Sequence, residues 1–290
     1  MESAPVKLVR NGFRSYRFSK NLSKTFSYAI LIIMAALMLL PFVWMLSASL
    51  KLDKDVFGFP IEWIPEVPQW SNYARIWTQI PFLTFFANTA KLTVIITFLQ
   101  LLTSSLAGYA FAKLNFKGRD FVFLAYIASI AIPWQSYMVP QFIMMRRLNL
   151  FDTHLALILL QAFSAFGVFL MRQFFISIPN DLIEAARIDG LSEYGIYYRI
   201  MLPLSKPALA TLTIFTFVFV WNDFMGPLIY LNSESLKTIQ LGLRLFIQQY
   251  SADYALIMAA SLVSLVPVVI LFLSFQRFFV EGIATTGVKG

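Results

Sequence analysis

Six long apolar segments alternate with polar, charged or proline-rich stretches along the chain. A helix rises about 1.5 Å per residue, so about 20 mainly apolar residues cross the roughly 30 Å hydrocarbon core of a bilayer. Each apolar segment meets that length. The pattern therefore predicts an all-α, polytopic membrane protein with six transmembrane helices. Their predicted ranges are 28–49, 85–110, 121–142, 154–173, 208–230 and 256–279.

Five prolines lie within these segments. A proline removes one helical hydrogen bond, and in a membrane protein the neighbouring helices can satisfy the carbonyl that is freed. We therefore expect kinked helices that continue through each proline. The positions are Pro41, Pro133, Pro140, Pro227 and Pro267.

Composition agrees with the apolar pattern and narrows the chemistry. The 290 residues are 59% hydrophobic and 13% charged, with no cysteine and one histidine, His154. Disulfides, thiolate sites and histidine-cluster metal sites are therefore not expected. A membrane enzyme would need a cluster of acid, base and nucleophile in the spans, so that alternative is disfavoured.

The formal charge of +8 suits either a nucleic-acid partner or the cytoplasmic face of a membrane protein. If the N-terminus is cytoplasmic, fifteen of the 23 lysines and arginines lie inside, seven lie outside and Lys91 lies within the second span. This bias predicts a protein of the bacterial inner membrane with both termini in the cytoplasm. It makes lipid the expected partner and argues against nucleic acid.

The spans divide the chain into four parts. Residues 1–27 form a cytoplasmic N-terminal segment, and residues 28–84 hold the first span and an external segment. Residues 85–279 are expected to form the core transmembrane domain, and residues 280–290 a cytoplasmic tail. The tryptophans and prolines of the external segment suit either an interfacial aromatic belt or a surface for an external partner, and both remain open.

A cytoplasmic loop at residues 174–207, here called the connecting loop, joins the fourth and fifth spans. Asp181 and Glu184 have capping-box spacing, and Gly190 suits the positive φ found after a helix. Ser192 can cap a second helix, which we expect to end before Pro203. The sequence predicts a helix, a turn and a second helix.

Such a projection, tied at both ends to spans, suits mechanical coupling to a partner. Ala185 and Ala186 add little bulk, so the first helix can enter a groove closely. The alternative is a well-capped surface helix without a partner, and local spacing alone leaves it open.

The run Glu-Ala-Ala-Arg-Ile-Asp-Gly at residues 184–190 resembles the coupling-loop signature of permease subunits in binding-protein-dependent ATP-binding-cassette (ABC) importers. Further similarity lies at residues 108–112, 221–224 and 276–290. These features resemble the carbohydrate-uptake class, particularly the smaller permease subunit of maltose-type systems. The resemblance spans essentially the whole chain.

The resemblance implies a type I ABC importer permease fold and a non-catalytic subunit. The implied partners are a second permease, two ATPase subunits that bind ATP and Mg, and an external solute-binding protein. This chain has no Gly-x-x-x-x-Gly-Lys-[Ser/Thr] phosphate loop, so we expect it to bind no cofactor itself. The residues implied in ATPase coupling are Glu184, Ala185, Ala186, Arg187, Asp189, Gly190, Leu191 and Pro203.

Asp223 is the acidic residue most suited to lie within a span, and such a group usually faces a cavity or a partner. With Trp221, Asn222 and Gln135 it forms a candidate substrate path, because aromatic, amide and carboxylate groups suit sugar hydroxyls. The alternative is that Asp223 lies near the outer interface or bonds a neighbouring helix.

Two alternatives to a sugar importer follow. A secondary transporter or channel would need a coupling-ion site, acidic clusters or internal repeats, and the spans offer one candidate acid. An importer of another solute, such as a polyol phosphate, fits the same signature.

Overall fold

The computed structural model describes the backbone of residues 6–247 and 253–287, and the side chains of residues 24–247 and 253–278. Fourteen α-helices lie in these ranges, with a π-helical segment at Tyr197–Met201. The helices are α1 Val6–Ser49, α2 Ser71–Gln79, α3 Phe82–Lys113, α4 Arg119–Ala128, α5 Trp134–Arg147, α6 His154–Gln161, α7 Ala165–Ser177, α8 Asn180–Ile188, α9 Glu193–Ile196, α10 Leu202–Leu204, α11 Lys206–Trp221, α12 Met225–Tyr230, α13 Ile239–Leu245 and α14 Tyr254–Gly287.

Four helical stretches in the described ranges are long and apolar enough to cross a bilayer. They contain the first, second, fourth and sixth predicted spans, which confirms those segments as candidate spans. The α6–α7 unit counts as one stretch despite its short break. The four are Lys24–Ser49, Phe82–Lys113, His154–Ser177 and Tyr254–Phe278.

The third predicted span is a bent pair of helices, and the fifth begins within a second bent pair whose first helix belongs to the connecting loop. Arg119–Ala131 meets Trp134–Arg147 at 100°, and Glu193–Leu204 meets Lys206–Trp221 at 76°. The described part of the chain therefore has six candidate spans when each bent pair is counted as one.

Pro133 ends a helical stretch, so the predicted continuous helix over 121–142 is wrong. Helical structure stops at Ala131, Ile132 is extended with ψ 112°, and α5 begins after Pro133. The proline ring disfavours the helical region for the residue before it, and this effect prevails here over continuation of the span.

The span predicted at 208–230 is also interrupted, because α11 ends at Trp221. Pro227 lies in the first turn of α12, where the backbone nitrogens have no partner within the helix, so it does not kink a longer helix. By contrast, Pro41, Pro140 and Pro267 lie inside α1, α5 and α14 as expected.

The two terminal helices extend beyond the predicted span limits. α1 begins at Val6, so it continues the first span through residues assigned to the N-terminal segment. α14 continues past residue 279 to Gly287, within the segment assigned to the tail.

Helix α3 lies at the centre of the bundle and packs against α7, α11 and α6. Its approach to α7 is close at Gly108, where an added Cβ would lie 2.7 Å from Met171 Cβ and 2.9 Å from the Arg172 backbone nitrogen. Glycine at this position lets the two helix backbones meet, as small residues do in membrane helix pairs.

We call the end of the bundle that carries the connecting loop the loop end, and the other end, which carries residues 50–81 and 222–247, the opposite end. A separate cluster of buried side chains stabilises each end. The loop-end cluster includes Tyr109, Met171, Phe175, Ile183, Ile196 and Met201. Clusters at and near the opposite end include Leu92, Leu157 and Tyr230, and Ile76, Phe82 and Ile239.

Candidate functional site

The first helix of the connecting loop begins one residue before the predicted cap. α8 starts at Asn180, Pro179 is the flanking extended residue with ψ 138°, and no side chain caps this end. Asp181 lies inside the first turn, so the predicted capping box with Glu184 is wrong. Asp181 still places negative charge near the positive end of the helix dipole.

The turn after α8 confirms two local predictions. Gly190 has a φ of +81°, and its backbone nitrogen donates to the carbonyl oxygen of Arg187 at 3.0 Å. Ser192 caps the next helix, because its Oγ accepts a hydrogen bond from the Gly195 nitrogen at 3.3 Å. The loop therefore reverses direction through a glycine that tolerates the left-handed conformation.

The second helix was predicted to end before Pro203, and this prediction is wrong. It continues from α9 through the π-helical segment into α10 and breaks only at Ser205. A π-helical turn is wider than an α-helical one, so it accommodates a proline ring that would otherwise clash with the preceding turn. The 76° bend follows this break.

The inner face of the connecting loop is part of the hydrophobic core. Ile183 and Ala186 are each 3% exposed, Ile196 is fully buried, and all three belong to the cluster that includes Met171 and Phe175 of α7. The side chain of Ala186 therefore faces this chain's own core rather than a partner, and its role in coupling stays a prediction. Helical geometry places Ala185 on a different face, and it is exposed.

The outer face of the connecting loop is exposed and rich in large apolar and aromatic side chains. Ile188 is 87% exposed, Tyr194 is 82% and Tyr198 is 70%. The candidate coupling residues Glu184, Ala185, Asp189, Gly190 and Pro203 are also exposed, and Leu191 is half-buried.

Arg187 lies within the loop and pairs with an acid that the sequence analysis missed. Its Nε donates to Glu193 Oε1 at 2.8 Å, and Tyr109 of α3 donates from its hydroxyl to Glu193 Oε2 at 2.7 Å. The hydrogen bond that Arg187 donates to Glu193 raises the pKa of the guanidinium above its usual value, so it stays charged. Arg187 of α8 therefore stabilises the turn by its ion pair with Glu193 of α9.

Lys113, the last residue of α3, also contacts the loop. Its Nζ donates to the Ile178 carbonyl oxygen and to Asn180 Oδ1, both at 2.7 Å. The repeat of polar residues four apart on α3 was the available signal for both Tyr109 and Lys113. Sequence alone did not show which segment they contact.

Two members of the candidate substrate path, Trp221 and Gln135, are not among the hydrogen-bond partners of Asp223, and their part in a path stays a prediction. Trp221 is 2% exposed, donates from Nε1 to the Ser264 carbonyl oxygen at 2.9 Å and stacks on Phe217. It therefore packs α11 against α14. Gln135 is exposed in the first turn of α5, away from the hydrogen bonds of Asp223 described below.

Asp223 bonds a neighbouring helix, which was one of the two alternatives for this residue. Its Oδ2 accepts from Gln161 Nε2 at 2.8 Å, and its Oδ1 accepts from the Gly226 nitrogen at 3.0 Å. Asn222 beside it is exposed, and its amide donates to the Val218 carbonyl oxygen. The carboxylate thus joins the ends of α6 and α11.

Comparison with known proteins agrees with this geometry. The chain matches a family described as binding-protein-dependent transport system inner membrane component over residues 100–284. That range contains the connecting loop and five of the six candidate spans in whole or in part.

Two relatives and one solved structure extend the match over most of the chain. The arabinooligosaccharides transport system permease protein AraQ of Halalkalibacterium halodurans is 37% identical, covering 86% of this chain and 91% of that protein. The sn-glycerol-3-phosphate transport system permease protein UgpE of Yersinia pestis is 34% identical, covering 89% and 95%.

The structural match is a chain from the crystal structure of a bacterial ABC transporter involved in the import of the acidic polysaccharide alginate. It has a TM-score of 0.80 and 26% identity, with 90% of this chain and 98% of that chain covered. The protein therefore belongs to the binding-protein-dependent transport system inner membrane components, the permease subunits of ABC importers.

Proposed function

We propose that this permease imports a sugar, with an oligosaccharide as the favoured solute class, and that its connecting loop couples transport to ATPase subunits. The exposed outer face of the loop is the observation that carries the coupling role. Large apolar side chains are costly to leave in water, and several of them exposed on one short loop are typical of an interaction site. Ile188 and Tyr194 provide the most exposed side chains of this patch.

The inner face of the loop makes this patch suitable for transmitting force. Ile183, Ala186 and Ile196 anchor the loop in the core, so a partner that moves the outer face moves the whole unit. Glu184, Asp189 and the exposed Ala185 border the patch and offer charge and close approach to the partner.

The proposed assembly contains a second permease, two ATPase subunits and an external solute-binding protein. ATP and Mg bind to the ATPase subunits, and this chain supplies no catalytic group. The connecting loop and both termini face the cytoplasm of a bacterial cell, in keeping with the distribution of lysine and arginine. Alternating access then follows when ATP draws the docked loops together.

The relatives support the sugar assignment. AraQ is named as a permease for arabinooligosaccharides, and the matching structure belongs to an importer of a polysaccharide. UgpE is named as a permease for sn-glycerol 3-phosphate, so a polyol phosphate is the second candidate solute.

Docking is tested with an Ile188→Asp, Tyr194→Asp double variant. It is purified together with the ABC ATPase subunits encoded next to the permease, or with the most similar ATPase subunits of the same genome. We expect the ATPase subunits to be lost from the complex while the permease remains in the membrane, because two charges replace the centre of the apolar patch. Phe59→Asp is the matched control, since Phe59 is 94% exposed at the opposite end. Retention of the ATPase subunits by the double variant would overturn the docking assignment.

The solute class is tested in vesicles that contain the complete complex, the binding protein outside and ATP inside. Labelled arabino-oligosaccharides, lactose and sn-glycerol 3-phosphate form the panel. ATP-dependent uptake of a sugar supports the proposal, and uptake of only the phosphate supports the second candidate. Uptake that persists without ATP would contradict an ATP-driven importer.

A further inference from the structure

A row of three polar side chains lies along the last part of α3. Ser105, Tyr109 and Lys113 are spaced four residues apart, which places them on one face of the helix. All three point at the connecting loop, although α3 does not adjoin that loop in the chain. We call these residues the α3 row.

Each member of the α3 row bonds a different part of the loop. Ser105 Oγ lies 2.7 Å from the Tyr197 hydroxyl in the π-helical segment. As described above, Tyr109 donates to Glu193 at the start of α9, and Lys113 donates at the start of α8. The row therefore contacts the loop from Ile178 to Tyr197.

Burial makes the first two contacts costly to break. Ser105 is 2% exposed, Tyr109 is 4% exposed and Tyr197 is 8% exposed. Ser105 Oγ also donates to the Leu102 carbonyl oxygen of its own helix at 3.2 Å, so separating the loop from α3 leaves the hydroxyls of Tyr109 and Tyr197 without these partners in a low-dielectric region. The contacts favour movement of α3 and the loop together.

Helix α3 also reaches the opposite end of the bundle. Near its start, Asn88 Nδ2 donates to the carbonyl oxygens of Ser235 at 2.8 Å and Lys237 at 3.0 Å. One continuous helix thus connects the loop with the segment that follows α12.

We propose that Ser105, Tyr109 and Lys113 are positioning residues that make α3 the span driven directly by the connecting loop. This inference rests on the proposed coupling function of the loop. A displacement of the docked loop is passed through the row to α3 and along that helix to the opposite end, in addition to the covalent links through α7 and α11.

The first test removes one hydroxyl. Tyr109→Phe keeps the packing of the ring but deletes the hydrogen bond to Glu193, and a hydrogen bond to a charged group is strong enough that we expect solute transported per ATP hydrolysed to fall about fivefold or more. The ATPase subunits should remain bound and active. Transport is measured with whichever sugar of the panel the unmodified complex imports.

Tyr73→Phe is the matched control for this change. The Tyr73 hydroxyl also makes a hydrogen bond, to Ser49 Oγ at 2.8 Å, but at the opposite end. We expect its transport per ATP to stay near that of the unmodified protein. An equal fall in both variants, or an unchanged ratio in Tyr109→Phe, would overturn the proposal.

A second pair of variants tests the charged member of the row. Lys113→Met removes both donations to the loop while keeping an unbranched side chain, and Lys117→Met removes an exposed lysine from the next connection. We expect only Lys113→Met to lower the transport ratio. Equal ratios in the two variants would count against the proposal.

Joint movement can be measured without a transported solute. The sequence has no cysteine, so spin labels can be placed at Leu106→Cys on α3 and Arg199→Cys on the loop alone. We expect the distance between the labels to be the same with and without ATP, and to change with ATP once Tyr109→Phe and Lys113→Met are added. An ATP-dependent distance before those substitutions would show that α3 does not follow the loop.

The results separate this proposal from the proposed function. If the connecting loop does not dock the ATPase subunits, the Ile188→Asp, Tyr194→Asp double variant retains them. If the loop couples but the α3 row has no role, the complex transports normally and the Tyr109→Phe variant does the same.

Discussion

Several polar side chains at the opposite end fix short connecting segments by hydrogen bonds to backbone atoms, whereas at the loop end Ser105, Tyr109 and Lys113 reach from α3 to a separate projecting unit. Asn72 donates to the carbonyl oxygens of Ser49 and Lys51, each at 2.9 Å. Asp152 accepts from the Ser233 backbone nitrogen at 2.9 Å. The Tyr109–Glu193 contact, by contrast, joins the ends of two side chains, and Lys113 reaches one backbone and one side-chain oxygen with the end of a long side chain.

This difference separates stability from coupling. Bonds to backbone atoms fix the path of the chain, so their loss should lower the free energy of unfolding. A contact between the ends of two side chains can be deleted while both helices keep their packing. Variants at the opposite end should therefore act on stability, and variants at the loop end should act on transport.

The largest expected effect comes from Gly108→Leu, which removes the close packing on which both ends depend. The first added carbon already meets Met171 Cβ at 2.7 Å and the Arg172 backbone nitrogen at 2.9 Å, so α3 and α7 must separate. Overpacking typically costs about 1–3 kcal/mol and sometimes more. We expect little monodisperse protein, measured by size-exclusion chromatography after detergent extraction.

The control for that substitution is Gly58→Leu, because an added Cβ there meets only ordinary contacts, the nearest at 3.4 Å. It should give a normal yield. A normal yield and thermal stability for Gly108→Leu would show that the α3–α7 contact is looser than the structure indicates.

Gly190→Pro should abolish transport while the protein still inserts in the membrane. Proline requires a φ near −65° and Gly190 has +81°, so the turn must rearrange at a local cost of about 1–3 kcal/mol. Gly118, in the connection before α4, is the control position, because its φ of +80° makes proline equally strained there. Gly118→Pro should keep most uptake, and equal uptake by both variants would contradict the special role of the connecting loop.

Asp223→Leu should lower stability by about 1–3 kcal/mol for each buried donor left unpaired. The donors are the Gln161 amide and the Gly226 nitrogen. Asp223→Asn retains an acceptor and should lose less, as measured by thermal unfolding in detergent. Unchanged uptake and specificity in Asp223→Asn would remove this residue from the substrate path.

The smallest effect concerns pH at the opposite end. Hydrogen bonds from the Ser233 hydroxyl and from the backbone nitrogens of Ser233 and Asn232 hold the pKa of Asp152 below its usual value. The folded protein therefore favours the carboxylate. The stabilisation is present above the unfolded-state pKa of about 4 and is lost as pH falls through the lower folded-state pKa.

Asp152→Asn should accordingly reduce the melting temperature slightly at pH 7 and make no difference well below pH 3. Circular dichroism melts across this range measure both. A difference between the variant and the unmodified protein that grows as pH falls would contradict this sign.

Local features of the site were predictable from sequence. Gly190 and Ser192 act through backbone conformation and through a bond three residues away, so their roles follow from their neighbours in the chain. The neighbours in the chain did not show that Ala185 of α8 is exposed and Ala186 is buried. Ala186 faces inward because α7 lies on that side, and no neighbour in sequence shows where α7 lies.

The contacts of the α3 row were also beyond local analysis. Tyr109 and Glu193 are 84 residues apart in the chain, and only the fold brings them to 2.7 Å. At Pro133 the local preference against helix was visible in the sequence, but the apolar pattern continues on both sides, so only the structure showed that the span breaks there.

The sequence by itself determined the helical class, the six apolar segments and the turn of the connecting loop, because hydrophobicity and backbone preference are properties of short windows. Only the tertiary structure decided where two spans bend, which face of the loop is buried and which span the loop contacts. Those features depend on how distant helices share volume and hydrogen bonds, and that is set by packing across the whole bundle.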